Sequence, residues 1–284
     1  MKMASAEYKE EVARRPLEPL IRWAGSKKKL IPLLKANTPK TFNKYIEPFC
    51  GSACLYFSLR PTKAVLSDIN KELIVSYKTI KKDSKKIAER LLGVEKCKTE
   101  YLRLRELDPS TLDEVERSYR FIYLNRFCFN GVYRTNREGK FNVPMGTKTG
   151  NLPTPAKISD CAKALKGASL IYGDFKKTLK YIEQGDFVYL DPPYTKEGAK
   201  NRGEYGHGSF DYQDIPTLIS YLEKIDEKGA YFLLSYSCDS ALLDLLPSRW
   251  YKLELSVNRH VAGFKQHRSI AKEVLVANYE LASL

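Results

Sequence analysis

The sequence predicts an α/β fold built on a mostly parallel sheet. Short apolar runs that end in Asp or in Pro and Gly recur along the chain, with helix-like stretches between several of them. These runs are residues 44–49, 64–68, 169–174, 187–194 and 230–237. Strands that alternate with helices favour a parallel sheet covered on both faces. The last runs, 251–257 and 273–279, leave no room for a long helix between them, which predicts a terminal antiparallel pair.

Between residues 71 and 166 the regularly spaced strand-like runs are interrupted, which predicts an inserted second lobe. Residues 72–93 and 113–127 carry apolar groups at three- and four-residue steps, as amphipathic helices do. The polar stretch 130–146 predicts a loop-rich hairpin. The predicted parts are a polar N-terminal extension at 1–19, a catalytic domain at 20–70 and 167–284, and the insert at 71–166.

Composition limits the class of protein. Lysine and arginine number 48 against 34 acidic residues, a formal net charge of +14, and this excess indicates a polyanionic partner. Among the 6 cysteines, Cys50 and Cys54 are the one close pair, without the second pair or nearby histidine that a zinc site needs. We therefore expect reduced thiols and no metal. Since no segment resembles a signal peptide or a membrane span, we expect a soluble, cytoplasmic protein.

The turns after the first two strands predict a cofactor site. Ligands of open α/β sheets bind at the carboxyl ends of the strands. Residues 47–53 form a turn with small side chains around Gly51, and Asp68 ends the next strand, where an acid can accept hydrogen bonds from ribose. Gly25 and Lys27 precede the first strand, from where they can close over the carboxylate end of a cofactor. Taken together, these features suit an adenosine-containing cofactor, although the turn and the acid alone would also fit an ordinary strand end.

The motif Asp191-Pro192-Pro193-Tyr194 predicts a grip for a planar exocyclic amine. Such an amine is a poor nucleophile because its lone pair is delocalised into the ring. The Asp191 carboxylate and the Pro192 carbonyl can accept its two hydrogens, while Pro193 fixes the backbone. Tyr194 offers a flat face on which a flipped base can stack. The polar segment 195–213 that follows fits either a lid over that base or a surface loop.

Five motifs in a fixed order resemble those of the Dam-type, alpha-group DNA adenine methyltransferases of bacteria and phage. The motifs are RWAGSKKKL, YIEPFCGSACLYFSL, VLSDIN, NRFCFNGVYRTNREGKFNVPMG and VYLDPPY. The resemblance implies a Rossmann-like, S-adenosylmethionine-dependent methyltransferase sheet with a smaller helical and hairpin insert for DNA recognition. It also implies in-line methyl transfer to an adenine flipped out of double-stranded DNA, without a metal or a covalent enzyme intermediate. Asp191, Pro192 and Tyr194 match the catalytic residues.

The resemblance further implies which residues bind S-adenosylmethionine. Trp23 and Lys27 match positions near its amino acid portion, and Asp68 matches the acid that binds its ribose. The positions expected around its adenine are Phe49, Ile69, Asp174 and Phe175. Gly51 and Asp191 complete the expected cofactor set.

Two residues depart from the common pattern of the family near this site. Ser26 and Ala53 stand where many relatives have glycine. Because each replaces glycine by only a small side chain, we expect cofactor binding to survive.

The segment 127–144 resembles the family's base-reading hairpin. Arg134 matches an arginine that contacts guanine, a bidentate pairing suited to the major groove, and Phe129 matches an aromatic that wedges into the base stack. The other expected DNA contacts are Asn130, Arg137 and Lys140 at phosphates and Val132 and Pro144 at bases. Members with this hairpin commonly read GATC. Phe129 and Val132 stand where close relatives often carry tyrosine and leucine, which leaves the target sequence open.

Several alternatives fit parts of the pattern. A methyltransferase of the same fold that acts on a cytosine amine, RNA or a protein amide would use similar chemistry, and a non-catalytic nucleic-acid module would keep the fold. A dinucleotide-dependent oxidoreductase is disfavoured because the G-x-G-x-x-G signature is missing. The chemistry is the same for a solitary enzyme and for one paired with a cognate restriction endonuclease.

Overall fold

A computed structural model describes residues 16–136, 138–195, 210–260 and 268–282. Most of the predicted N-terminal extension, Arg137 and most of the segment after Tyr194 lie outside the described residues. Expectations for those parts of the chain stay predictions.

A single sheet of seven strands organises the described residues. The strands are β1 (Tyr45–Glu47), β2 (Ala64–Asp68), β3 (Ala168–Tyr172), β4 (Phe187–Leu190), β5 (Tyr231–Ser237), β6 (Tyr251–His260) and β7 (Arg268–Ala277). Their order across the sheet is β3-β2-β1-β4-β5-β7-β6. Neighbours among β1 to β5 pair in parallel, whereas β7 pairs antiparallel with both β5 and β6. The predicted α/β class and the terminal antiparallel pair are therefore confirmed.

The strand order reverses between β1 and β4, and this reversal places the site. Both strands are buried along their whole length, which explains the unbroken apolar run of β4, while β1 ends in the buried Glu47. On either side of the reversal the connections run in opposite directions, so the carboxyl ends of β1 and β4 border a crevice. The turns singled out from the sequence all leave the sheet at that edge.

The described residues form eight α-helices. They are α1 (Ile31–Ala36), α2 (Cys54–Leu59), α3 (Lys71–Leu91), α4 (Lys98–Glu106), α5 (Glu114–Phe127), α6 (Pro155–Leu165), α7 (Ile215–Glu227) and α8 (Ser240–Leu243). The two helices predicted in the insert are confirmed as α3 and α5. Asn70 caps α3 by accepting from the backbone N–H of Leu73, and Asp113 caps α5 in the same way. None of the described helices is long and apolar enough to cross a membrane.

The insert shares a hydrophobic core with the sheet. Leu66 of β2, Tyr77 of α3 and Phe121 of α5 belong to one continuous cluster of buried side chains. The guanidinium of Arg117 in α5 also pairs with the Glu72 carboxylate in α3, its Nε lying 2.7 Å from one oxygen. The first helix of the insert is thus packed on the catalytic sheet, while the domain limits at 70 and 166 remain a prediction.

The predicted hairpin at 130–146 is less regular than expected. Two isolated antiparallel bridges close it, Cys128 with Met145 and Thr135 with Phe141, instead of a continuous ladder. Asn130 adopts a left-handed backbone with a φ of 54°. That turn and Pro144, which has no N–H to donate, interrupt regular strand pairing. We refer to residues 128–146 as the recognition loop.

Candidate active site

A cavity of about 860 Å³ opens at the carboxyl ends of the first four strands. All of the residues predicted to bind the cofactor line it, as do the three predicted catalytic residues. The structure therefore brings together motifs that lie as far apart in the chain as Trp23 and Tyr194. Their individual roles remain predictions that rest on this shared position.

The turn after β1 has a backbone that favours glycine. Gly51 has a φ of +44°, and a Cβ placed there would lie 2.6 Å from Cδ1 of Trp23. The indole ring consequently lies directly against the turn, and a side chain at this position would displace it. Ala53 has a φ of 52°, so it holds the left-handed conformation that the glycine of many relatives adopts more easily.

Asp68 orders this turn with its carboxylate. Its two oxygens accept hydrogen bonds from the backbone N–H groups of Gly51 (2.9 Å) and Asn70 (2.8 Å). Burial raises the pKa of Asp68 to about 6, although these backbone donors act in the opposite direction. Each oxygen keeps a second lone pair, so the predicted acceptance from ribose hydroxyls stays compatible with this structural role.

Aromatic rings form an apolar wall on another side of the cavity. Phe49 stacks on Phe175 with ring centroids 5.1 Å apart, and Phe210 packs edge-on against Phe49 at 5.9 Å. The sequence predicted Phe49 and Phe175 as adenine neighbours but did not predict that they contact each other. Phe210 was missed because it follows a long polar segment and belongs to no motif.

Asp191 is held by two partners at the end of β4. Its Oδ1 accepts from the Lys27 ammonium at 2.7 Å and from the Ser235 hydroxyl at 3.0 Å. Burial raises the pKa of Asp191 above its ordinary value, while Lys27 and Ser235 act to lower it. The ammonium of Lys27, which was predicted near the amino acid portion of the cofactor, thus pairs with the predicted catalytic carboxylate, and its contact with the cofactor stays a prediction. Ser235 was not predicted.

The Tyr194 ring is fixed from several sides. Its hydroxyl donates to the Glu273 carboxylate at 3.1 Å, and its ring packs edge-on against Tyr236 at 5.3 Å. The Lys27 ammonium lies 4.5 Å from the centroid of the ring, close enough for a cation–π contact. The ring that was predicted to stack on a flipped base is thus oriented in advance. Glu273 was missed because it comes from β7, far from the motif in sequence.

The cavity carries an excess of carboxyl groups. The lining has three lysines, Lys27, Lys28 and Lys29, and Lys27 pairs with Asp191. It has six acidic residues: Glu47, Asp68, Asp174, Asp191, Asp214 and Glu273. Glu47 is buried and accepts from the Tyr45 hydroxyl at 3.0 Å. Burial raises the pKa of Glu47 well above its ordinary value, and the neighbouring acids add to the effect. A positively charged ligand would stabilise the ionised forms of these carboxyl groups, so the cavity suits such a ligand.

The predicted DNA contacts lie on the recognition loop instead of in the cavity lining. Phe129 is 45% exposed, unusually high for a large apolar side chain, and its N–H donates to the Pro144 carbonyl at 2.9 Å. Arg134 donates through Nε to the Asn142 side chain at 2.9 Å. Asn130, Lys140 and Pro144 are exposed and Val132 is half-buried. Their contacts with DNA remain predictions, as does that of Arg137.

Among the described residues, no group of three or more histidine, cysteine, aspartate or glutamate side chains is arranged to hold a metal ion. The expected absence of a metal stays a prediction.

Comparison with known proteins connects this site to a family. The sequence profile of the D12 class N6 adenine-specific DNA methyltransferases matches residues 23–261. The chain is 34% identical over 273 residues to the Type II methyltransferase M1.LlaDCHI of Lactococcus lactis subsp. cremoris, covering 93% of this chain and 96% of that protein. It is 32% identical over 266 residues to the DNA adenine methylase of Haemophilus influenzae, covering 90% and 92%. The chain therefore belongs to the D12 class of N6 adenine-specific DNA methyltransferases.

Proposed function

We propose that this protein transfers a methyl group from S-adenosylmethionine to the exocyclic amine of an adenine that is flipped out of duplex DNA. The observation that carries the proposal is the position of Asp191, Pro192 and Tyr194 on the same cavity as the predicted cofactor residues. A methyl donor and a planar amine would meet there within one cavity. Holding both reactants in line supplies a large part of catalysis by proximity and orientation.

The cavity fits the cofactor in size and charge. Its volume lies within the range of about 300–1,000 Å³ that is usual for small-molecule sites. The carboxyl groups of Glu47, Asp68 and Asp191 suit a ligand with a sulfonium and an ammonium, and the phenylalanine wall suits its adenine. Trp23 and the turn at Gly51 would hold the remaining parts of the cofactor. When bound, the cofactor supplies a methyl group on a positively charged sulfur.

The residues of the chain make the amine reactive. The Asp191 carboxylate and the Pro192 carbonyl would each accept one amine hydrogen, which localises the nitrogen lone pair toward the methyl donor. This role requires an ionised Asp191, and the ammonium of Lys27 and the hydroxyl of Ser235 favour that form. Tyr194 would stack on the base, with its tilt set by Glu273 and Tyr236.

The recognition loop would select the site on DNA. Arg134 would read a guanine, Phe129 would wedge into the stack, and Lys140 would contact a phosphate. We propose GATC as the target to test first because the hairpin resembles that of family members that read it. A restriction endonuclease is a proposed partner, since the Lactococcus relative is named a Type II methyltransferase.

The test is a methylation assay with a sequence readout. Purified protein is incubated with unmethylated plasmid DNA and labelled S-adenosylmethionine, and modified adenines are then mapped by sequencing. We expect methyl groups on adenine within one short motif, and no transfer by the Asp191→Ala variant. Label on cytosine, or on RNA or protein but not on DNA, would contradict the proposal.

A further inference from the structure

The segment that carries Trp23 is clamped to the insert just ahead of the recognition loop. Asn125 of α5 is buried, and its side chain makes two hydrogen bonds with the backbone of Arg22. Its Oδ1 accepts from the Arg22 N–H at 2.9 Å, and its Nδ2 donates to the Arg22 carbonyl at 2.6 Å. One side chain thereby replaces the pairing that a neighbouring strand would supply.

Further contacts reinforce this clamp. The Arg22 guanidinium donates to the Arg126 carbonyl at 2.9 Å, and the Arg126 guanidinium donates to the Leu20 carbonyl at 3.2 Å. Gly131 has a φ of +69°, and a Cβ placed on it would lie 2.9 Å from Cβ of Arg22. The first turn of the recognition loop therefore closes directly on the residue before Trp23.

Aromatic rings continue the contact from the loop to the cofactor turn. Tyr133 stacks on Trp23 with an interplanar angle of 17° and ring centroids 6.2 Å apart. Tyr133 also packs against Phe141, on the other side of the loop, with ring centroids 5.3 Å apart. On the cavity side, Trp23 lies against the Gly51 turn that Asp68 orders. Tyr133 thus joins the loop to the wall of the cofactor cavity.

We propose that Tyr133 and Asn125 are positioning residues that couple DNA recognition to cofactor binding by fixing Trp23. The proposal rests on the proposed function, because it assigns DNA to the loop and the cofactor to the cavity. Tyr133 lies between Val132 and Arg134, two of the predicted base contacts, so a duplex bound there fixes the backbone that carries the Tyr133 ring. The Tyr133 ring, once its backbone is fixed, then holds the Trp23 indole in the position that binds the cofactor.

Linkage makes the expected effect reciprocal. If cognate DNA tightens cofactor binding by a given factor, the cofactor tightens DNA binding by the same factor. Such coupling requires that the loop be better ordered with DNA than without it. Two isolated bridges and a few backbone hydrogen bonds close the loop, and Phe129, Asn130 and Lys140 on it are exposed, so a bound duplex has groups on the loop left to order.

Calorimetry measures the coupling without turnover. The affinity of S-adenosylhomocysteine is determined with and without a duplex that contains the mapped target motif, and the ratio of the two dissociation constants is the readout. For the unaltered protein we expect a ratio of about 5–150, the usual span for coupled sites. In Tyr133→Ala we expect the ratio to fall to near 1, and in Tyr133→Phe, which keeps the ring, to stay near the unaltered value.

Two further variants keep the test decisive. Tyr231→Ala is the matched control, because Tyr231 contacts Tyr279 at the amino end of β5, away from the cavity and the loop, and its ratio should not change. Should Tyr133→Ala fail to fold, Asn125→Asp replaces it. That change keeps the side-chain shape but removes the Nδ2 donor to Arg22, and we expect a lower ratio.

The outcomes separate this proposal from the proposed function. A purely structural role of Tyr133 would weaken product binding equally with and without DNA, and an unchanged ratio would overturn the coupling. A ratio near 1 in the unaltered protein would also overturn it, even where the methylation assay is positive. Absence of DNA methylation in that separate assay would instead contradict the proposed function.

Discussion

The cavity and the recognition loop differ in almost every physical respect. The cavity is lined by residues at the ends of buried strands, and the Asp191 carboxylate in it has fixed partners in Lys27 and Ser235. The loop is closed by two isolated bridges and exposes Phe129 and much of its polar surface. Chemistry needs groups that are positioned before the substrate arrives. Reading DNA needs groups that reach outward and adapt to a duplex.

The two regions also differ in charge. The chain has a formal net charge of +14, yet the cavity carries the carboxyl groups of Glu47, Asp68, Asp191 and Glu273. The acidic residues that line the cavity thus run against the positive net charge of the whole chain. The comparison leads to separate predictions: changes in the cavity should alter turnover, and changes in the loop should alter the choice or affinity of DNA.

The largest effect is expected from Asp191→Ala. Removing the acceptor for the amine should lower kcat by at least about 10²–10³-fold, the usual loss when one preorganised group is deleted. DNA affinity should stay nearly unchanged because Asp191 lies in the cavity. Single-turnover methylation and a gel-shift titration on the same duplex measure the two quantities. Near-normal turnover would remove Asp191 from the mechanism.

A large effect is also expected from acid. Because burial raises the pKa of Asp191, protonation occurs at a higher pH than for an exposed aspartate, and the rate should fall as the pH drops through that pKa. The fall should approach about tenfold per pH unit. Lys27→Met removes the charge that lowers this pKa and should shift the acid limb of kcat to higher pH.

Ser235→Ala provides a milder version of the same test. The Ser235 hydroxyl also lowers the pKa of Asp191, so its loss should move the acid limb in the same direction as Lys27→Met. The expected shift is smaller because a neutral donor is lost instead of a charge. Acid limbs that coincide in all three proteins would mean that another group controls the rate.

Much of the fold was predictable because buried parallel strands read as apolar runs and capped helices carry local signals. All of the residues that the motifs assigned to the cofactor line the cavity. Ser235 and Glu273 were not predictable, because no local pattern encodes strand pairing. Ser235 reaches Asp191 through the pairing of β5 with β4, and Glu273 enters on β7, which pairs with β5. The Lys27–Asp191 ion pair likewise joins residues 164 positions apart.

A smaller effect, confined to one base pair, is expected from Arg134→Ala. Loss of a bidentate contact to guanine should reduce discrimination at that position by about 1–3 kcal/mol, while other positions keep theirs. Competition between the mapped motif and its single-base variants measures this directly. Equal weakening on all sequences would indicate that Arg134 contacts a phosphate.

The smallest effect is expected from Lys140→Ala, the matched change on the same loop. The Lys140 side chain is exposed and pairs with Glu138 at 3.1 Å, so its removal should not disturb the loop backbone. As a phosphate contact it carries no sequence information, and its loss should weaken all duplexes alike. The slope of log affinity against log salt should become less steep by about 1. A change in the preferred motif would instead place Lys140 among the base-reading residues, and the division of the loop into reading and anchoring positions would have to be redrawn.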